Sequence, residues 1–353
     1  MTTAHAWAAY GKDTPFAPFA FQRRPLEPSD VRIDILYCGI CHSDVHFARG
    51  EWSDPRYPCV PGHEIVGRVS AIGSAVSKFK VGDLAGVGCI VDSCGQCGSC
   101  EEGLEQYCTT GFTGTYMSAA PNTDLPVYGG YSNFIVVKEA FCLRIKHQEA
   151  DLPEVAPLLC AGITLWSPLR HWRAGPGKKV GVVGIGGLGH MGLKLARALG
   201  AHVVAFTSSP GKAAEAQRLG AHEVVVSSDA TAMQQQASSL DLILNTVSAG
   251  QDLETYVQML KRDGTLVLLG AGTERHTAAQ VLSLLARRRS IAGSIIGGVA
   301  ETQEMLDFCA QNAITSDIEL IPVQGVDAAY DRIVAGDVKY RFVLDMSSLP
   351  TAD

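Results

Sequence analysis

No run of about eighteen apolar residues occurs in the 353-residue chain, so no membrane-spanning helix is expected. The opening stretch, MTTAHAWAAYGKDTPF, has no basic segment followed by an apolar one. No secretory signal is therefore expected, and the cytoplasm is the expected location. There is no basic excess: 29 Lys and Arg against 36 Asp and Glu give a net charge of −7, a poor match to a nucleic-acid polyanion. Internal repeats and low-complexity tracts are also missing. What remains has 46% hydrophobic and 18% charged residues, the balance of a globular protein long enough for two domains and a large core.

Cysteine is not scarce. There are 11, an odd number spread along the chain, and four of them crowd into DSCGQCGSCEEGLEQYC at residues 92–108. In a reducing cytoplasm disulfides are rare, so Cys94, Cys97, Cys100 and Cys108 read as metal ligands. Gly95 and Gly98 let the backbone fold tightly around an ion. Four thiolates leave no coordination position for water, which points to a structural zinc. An iron–sulfur cluster and free core thiols are the competing readings.

The pattern changes along the chain. Residues 1–155, rich in Gly, Pro and short runs such as EIVGRVSAIG, predict a loop-rich β domain. Residues 156–297 alternate apolar strands with helices, the signature of a parallel sheet covered on both faces and hence of an α/β fold. Residues 298–353 end in YRFVLD, which is expected to return to the first domain. Within the middle segment, Gly184-Ile185-Gly186-Gly187-Leu188-Gly189 follows the strand KVGVVG and opens an amphipathic helix. In that context it is a dinucleotide fingerprint, with pyrophosphate resting on amides at the helix N-terminus. A glycine-rich turn without a ligand is the alternative.

The next strand, HVVAFTSSPGK, ends in Thr207, Ser208, Ser209 and Lys212. An NAD enzyme places a carboxylate here against the ribose 2′-hydroxyl. Hydroxyls and a lysine instead suit the 2′-phosphate of NADP(H), although Ser209 could equally cap a helix.

A third group of residues is scattered. CGICHSDVH supplies Cys41, PGHEIVG supplies His63, and PLLCAGIT supplies Cys160. Together they offer three ligands and an open fourth position, the pattern of a catalytic zinc. Sequence alone does not bring them together.

These motifs, in this order and spacing, resemble the zinc-dependent medium-chain alcohol dehydrogenases of the cinnamyl alcohol dehydrogenase type, close to bacterial broad-specificity aldehyde reductases. The resemblance spans essentially the whole chain. It implies a GroES-like β-rich catalytic domain, a Rossmann doubly wound domain, an active site in the cleft between them, and a homodimer. Cys41, His63 and Cys160 match the catalytic zinc ligands, and Glu64 matches a carboxylate that can join them when substrate is absent. Asp44 matches a residue that holds the His63 ring. Ser43 and His46 match a proton relay between substrate oxygen and solvent, for which a histidine is suited. The four-cysteine stretch, about residues 89–112, matches the structural zinc lobe, giving two zinc ions per chain. Thr164, Thr246, Gly270, Ser294, Ile295 and Ile296 fall where the family touches the cofactor. Phe47, Trp52, Cys89 and Ile295 fall near its substrate pocket. Relatives with similar residues at the second strand end use NADP(H).

The expected function is therefore that of an oxidoreductase passing hydride between NADP(H) and a primary alcohol/aldehyde pair. Zinc would act as Lewis acid on the carbonyl oxygen. Residues 111–132 differ from the plant cinnamyl enzymes in length and residues, which weighs against a specific preference for cinnamyl alcohols. An apolar cleft over one Lewis-acid metal, with no anion clamp evident, leads to the expectation of broad reduction of aromatic and medium aliphatic aldehydes. A cofactor-binding sensor or structural protein, and a polyol dehydrogenase, are the alternatives. Cys38, Cys59, Cys142 and Cys309 read as core thiols.

Overall fold

The apolar strands of the middle segment assemble into one sheet. The computed structural model describes residues 1–52, 55–119, 126–272 and 274–350. Residues 120–125 of the divergent 111–132 segment lie outside that set. The chain divides into two units, one made of residues 1–160 with 297–353 and the other of residues 161–296. The sequence placed these boundaries at 155/156 and 297/298.

In the second unit six strands run parallel. Their spatial order is Glu223–Val226, His202–Thr207, Lys179–Val183, Leu240–Asn245, Leu260–Leu268 and Ser290–Gly293. Counted along the chain this is 3-2-1-4-5-6, the order of a doubly wound nucleotide-binding sheet. Its switch point lies between Lys179–Val183 and Leu240–Asn245, at the end where the glycine-rich turn emerges. Val183, Val204, Phe206, Ile243 and Leu266 form part of the buried core on the sheet. Burial of a side chain of that size contributes roughly 1.5–3 kcal/mol.

The first unit is organised around the strand Asp30–Ile40. One edge pairs antiparallel with Ile65–Ile72. The other edge is shared: Phe134–Lys138 covers residues 30–34, and Arg341–Asp345 covers residues 37–40. The return of the C-terminal segment therefore ends beside the stretch that delivers Cys41. Alternate residues Ala4, Ala6 and Ala8 of the strand Thr2–Ala8 are buried, the period-two pattern of a strand with one covered face. Cys38, Cys59, Cys142 and Cys309 are buried core thiols.

Candidate metal and nucleotide sites

Cys41 follows the central strand and caps the short helix His42–Ala48. Its N–H donates to Asp44 Oδ2 at 2.7 Å, so the helix start and the thiol are fixed by one carboxylate. His63 and Glu64 precede the neighbouring strand, and Gly39 N–H donates to Glu64 O at 3.0 Å. A Cβ at Gly39 would overlap the Glu64 carboxylate, so only glycine fits opposite it. Cys160 follows the 3₁₀ turn Ala156–Leu159.

These pieces converge. The ligand atoms of Cys41, His63, Glu64 and Cys160 lie within 4.8 Å of one another, and all four residues are buried. The Cys41 and Cys160 sulfurs are 3.8 Å apart. The hydrogen bond from Cys160 pulls the Cys41 thiol well below its ordinary pKa, against the penalty of burial, and pushes the Cys160 thiol well above. Among the described residues, buried His63 Nε2 and Glu64 Oε2 have no hydrogen-bond partner. Unpartnered buried polar atoms are costly unless something satisfies them. A tetrahedral ion with sulfur at about 2.3 Å sets sulfurs roughly 3.8 Å apart, so this donor set fits zinc.

Glu64 keeps one oxygen, Oε2, for a metal. Its Oε1 pairs with Arg341 Nη2, and Arg341 also donates to Ile40 O at 2.9 Å. Burial pushes the Glu64 carboxyl up to about 8, with Arg341 opposing. Arg341, 277 residues away in sequence, gave no sequence signal as a site residue. The hydrogen bonds of Asp44 run to Cys41 N–H, to Gly62 N–H at 3.1 Å and to the Tyr131 hydroxyl at 3.2 Å. Its action on His63 is through charge, where a bond to the ring was expected. Buried Tyr116, unmarked in the sequence, stacks on the His63 ring at 5.2 Å, and Phe47 packs against Tyr116 at 5.0 Å. Cys89 is half-buried, its sulfur 3.9 Å from Leu159 O, and its hydrogen bond to Cys160 draws its thiol pKa down.

Ser43 Oγ lies 3.6 Å from Cys41 Sγ. His46 Nδ1 pairs with Glu51 Oε2, and its ring stacks between His42 at 4.6 Å and Trp52 at 4.7 Å. Glu51 was missed in the sequence because its spacing of five from His46 marks no helical face.

The sulfurs of Cys94, Cys97, Cys100 and Cys108 also lie within 4.8 Å of one another, with Cys94 and Cys100 3.9 Å apart. That spacing fits one ion at the centre. The glycine Gly95 sits at φ +69°, which a side chain would strain.

In the nucleotide unit, Gly184 turns the chain at φ +88°. A Cβ on Gly189 would overlap the Gly184 carbonyl, so helix and strand touch only through glycine. A Cβ on Gly186 would meet nothing within 4 Å among the described residues. The protein itself has no need of glycine there, whereas an approaching pyrophosphate does. The helix begins at Gly189, and its first amides bond back to the turn, His190 N–H to Gly186 O at 3.1 Å and Met191 N–H to Leu188 O at 3.0 Å. Thr246 Oγ1 donates to Val183 O at 2.8 Å and buttresses the turn. Gly270 lies so close to the backbone of Val247 that a Cβ would collide with it. Lys212 Nζ reaches Ile185 O at 3.1 Å, which brings the lysine to the turn. Ser208 is exposed, and Ser209 stands at a cap position without a side-chain capping bond. The Thr207 hydroxyl accepts the Ser209 N–H at 3.1 Å and is buried, so it shapes the turn. Thr164 is buried in the helix Ala161–His171. Ser294 N–H donates to Leu268 O at 3.3 Å, Ile295 is 51% exposed, and Ile296 holds φ +37°, unusual for a β-branched residue.

Comparison with known proteins agrees with this geometry. Residues 27–147 match the alcohol dehydrogenase GroES-like domain, and residues 187–311 match the zinc-binding dehydrogenase family. The aldehyde reductase YahK of Escherichia coli is 57% identical over 98% of both chains. A cinnamyl alcohol dehydrogenase from Sorghum bicolor superposes with a TM-score of 0.94 at 41% identity, covering 100% of both chains. The CAD from Helicobacter pylori, solved with NADP(H), gives a TM-score of 0.91 at 40% identity, covering 98% of this chain and 99% of that one.

Proposed function

The chain belongs to the zinc-dependent medium-chain alcohol dehydrogenases, and from that premise we infer that it passes hydride between NADP(H) and an alcohol/aldehyde pair. The observation that carries this reading is the buried Cys41–His63–Cys160 set with the unpartnered His63 Nε2. Cys41, His63 and Cys160 would hold one zinc, with Glu64 beside them, and the four-cysteine lobe a second. Zinc held at the first site supplies Lewis acidity toward a carbonyl oxygen. NADPH supplies the hydride.

The chain's own residues do the rest. Ser43, next to Cys41, passes a proton between substrate oxygen and His46, and Glu51 fixes the His46 ring. Trp52 offers exposed aromatic surface near these groups, with the buried Phe47 and Tyr116 rings packed behind and Cys89 beside Cys160. That surface suits uncharged aldehydes with aromatic or medium aliphatic tails. Gly184–Gly189 receives the pyrophosphate, Ser208, Ser209 and Lys212 the 2′-phosphate, and Thr164, Thr246, Gly270, Ser294, Ile295 and Ile296 the remainder of the nucleotide. The enzyme works in the cytoplasm as a homodimer. Support for the dimer comes from Val281, Leu282 and Leu285, 68–73% exposed on the short helix that precedes the sheet-end strand Ser290–Gly293 in the chain.

A sensor or purely structural role gives no reason for the buried Cys41–His63–Cys160 donor set. The test is turnover of benzaldehyde, cinnamaldehyde and butanal with NADPH and with NADH. Reduction of these aldehydes with NADPH is expected. Negligible turnover of all three, with rapid oxidation of a polyol, would overturn the substrate assignment.

A further inference from the structure

The His63 side of the metal site rests on a clamp that none of the motifs contains. Residues 128–134 run beside the loop that delivers His63. Gly129 N–H donates to Val60 O at 2.8 Å, Gly130 N–H to Gly62 O at 2.8 Å, and Tyr131 N–H to Pro61 O at 3.0 Å. Buried Arg23 fastens this segment from behind. Its guanidinium donates to Tyr128 O at 2.8 Å, Gly129 O at 3.2 Å, Phe134 O at 3.0 Å and Ser132 Oγ at 2.9 Å.

At the centre of the segment is Tyr131, fully buried. Its ring packs so closely on Gly62 that a Cβ there would come within 2.7 Å of it, and Gly62 sits at φ +102°. Its hydroxyl donates to Asp44 Oδ2 at 3.2 Å and receives the Tyr330 hydroxyl proton at 3.4 Å. Asp44 in turn accepts the N–H groups of Cys41 and Gly62. One side chain therefore touches both the carboxylate that fixes Cys41 and the glycine that precedes His63. Hydrogen bonds in such a chain polarise one another, so Tyr330 strengthens the bond that Tyr131 makes.

We propose that Tyr131 is a positioning residue for the Cys41–His63–Cys160 site, holding Cys41 and His63 in one geometry through Asp44 and Gly62, with Tyr330 acting through it. The proposal rests on the reading that these three residues hold a metal. Its reach is limited to that site: the four-cysteine lobe is not part of the clamp.

The experiment follows metal release from the purified holoenzyme to a chromogenic chelator, alongside steady-state kinetics. Cys41→Ser identifies the phase that belongs to the catalytic site, by abolishing it. Tyr131→Phe keeps the ring and removes the hydroxyl. It should release the catalytic metal about tenfold faster, the scale found when groups behind a metal ligand are lost. Release from the lobe and KM for NADPH should stay unchanged, while kcat falls. Tyr330→Phe, the milder variant, should shift release in the same direction by less. It should add nothing to Tyr131→Phe in the double variant. Unchanged release in both single variants overturns the proposal, as does equal acceleration of both metals or additivity in the double variant. Should Tyr131→Phe fail to fold, Tyr330→Phe decides alone. A wild-type enzyme with only one release phase, surviving in Cys41→Ser, would defeat the metal reading itself and the proposal with it.

Discussion

Arg341 and Glu64 face each other with 5% and no side-chain exposure, so neither charge can turn to water if its partner is lost. Removing one member of such a pair leaves an uncompensated buried charge, at a cost of about 3–5 kcal/mol. With the Glu64 carboxyl already pushed up to about 8, it can take a proton when Arg341 is lost. Arg341→Met should therefore destabilise the protein by less than that amount in urea unfolding at pH 7 and by more as the pH rises, and Glu64→Gln added to it should remove the pH dependence. A loss that stays the same from about pH 6 to about pH 9 would mean that water reaches the carboxylate. Ser208 poses the opposite case, an exposed hydroxyl with its bonding capacity available. Charge-assisted hydrogen bonds contribute roughly 1.5–3 kcal/mol each, and about 1.4 kcal/mol is tenfold in affinity. Two contacts to a 2′-phosphate, from Ser208 and Lys212, should give at least about a hundredfold higher kcat/KM with NADPH than with NADH. Ser208→Asp should erase most of that preference and Lys212→Ala part of it. Equal efficiency of the two nucleotides in the unaltered enzyme would refute the assignment.

At the scale of elements, the glycine-rich turn separates fold from function within one motif. Gly189→Ala puts a methyl into the Gly184 carbonyl and should lower Tm. Gly186→Ala adds a methyl in open space, so Tm should hold while KM for NADPH rises. A Gly186→Ala enzyme with ordinary KM would show that no phosphate approaches there. The amino ends of three strands are tied by Glu223, which bonds Lys179 at 2.9 Å, His202 at 2.7 Å and Gln236 at 2.9 Å. Burial opposes ionisation, but these partners hold its carboxyl down to about 2. The folded pKa lies below the unfolded one, so the stabilisation is present above about pH 4.5 and fades as pH falls toward about 2. The side chain is 37% exposed, and solvent screening reduces the effect to about 1 kcal/mol. Glu223→Gln should lose that amount at pH 7 and converge on the wild type in acid, as read by urea unfolding at both pH values.

At the scale of the molecule, the chain leaves its first unit at residue 160 and re-enters at 297, and the returning segment completes the sheet beside Cys41. Leu282 and Leu285, 73% and 71% exposed, form an apolar surface that water disfavours. Stable interfaces bury about 1,200–2,000 Å², and a charge placed near their centre is strongly unfavourable. If the proposed dimer uses this face, Leu282→Asp with Leu285→Asp should give a monomer in sedimentation velocity, and an unaltered enzyme that is already a monomer would refute the dimer. A dimer that survives both substitutions would place its interface elsewhere.

Short-range chemistry was legible in the sequence. The four-cysteine lobe and the glycine-rich turn each lie within one short segment, where spacing along the chain limits distance in space. The missing carboxylate after the second strand of the nucleotide unit was readable for the same reason. Cys41, His63 and Cys160 could be suspected from their residue types, but sheet pairing and the turn before Cys160 decided that they meet. Arg341 beside Glu64, Tyr131 on Asp44 and Tyr116 on His63 carried no local signal. Each joins segments far apart in the chain, and buried tyrosine or arginine looks in sequence like any other. Their roles come from strand register and from the rule that a buried polar atom must find a partner, and only the folded chain shows which partner that is.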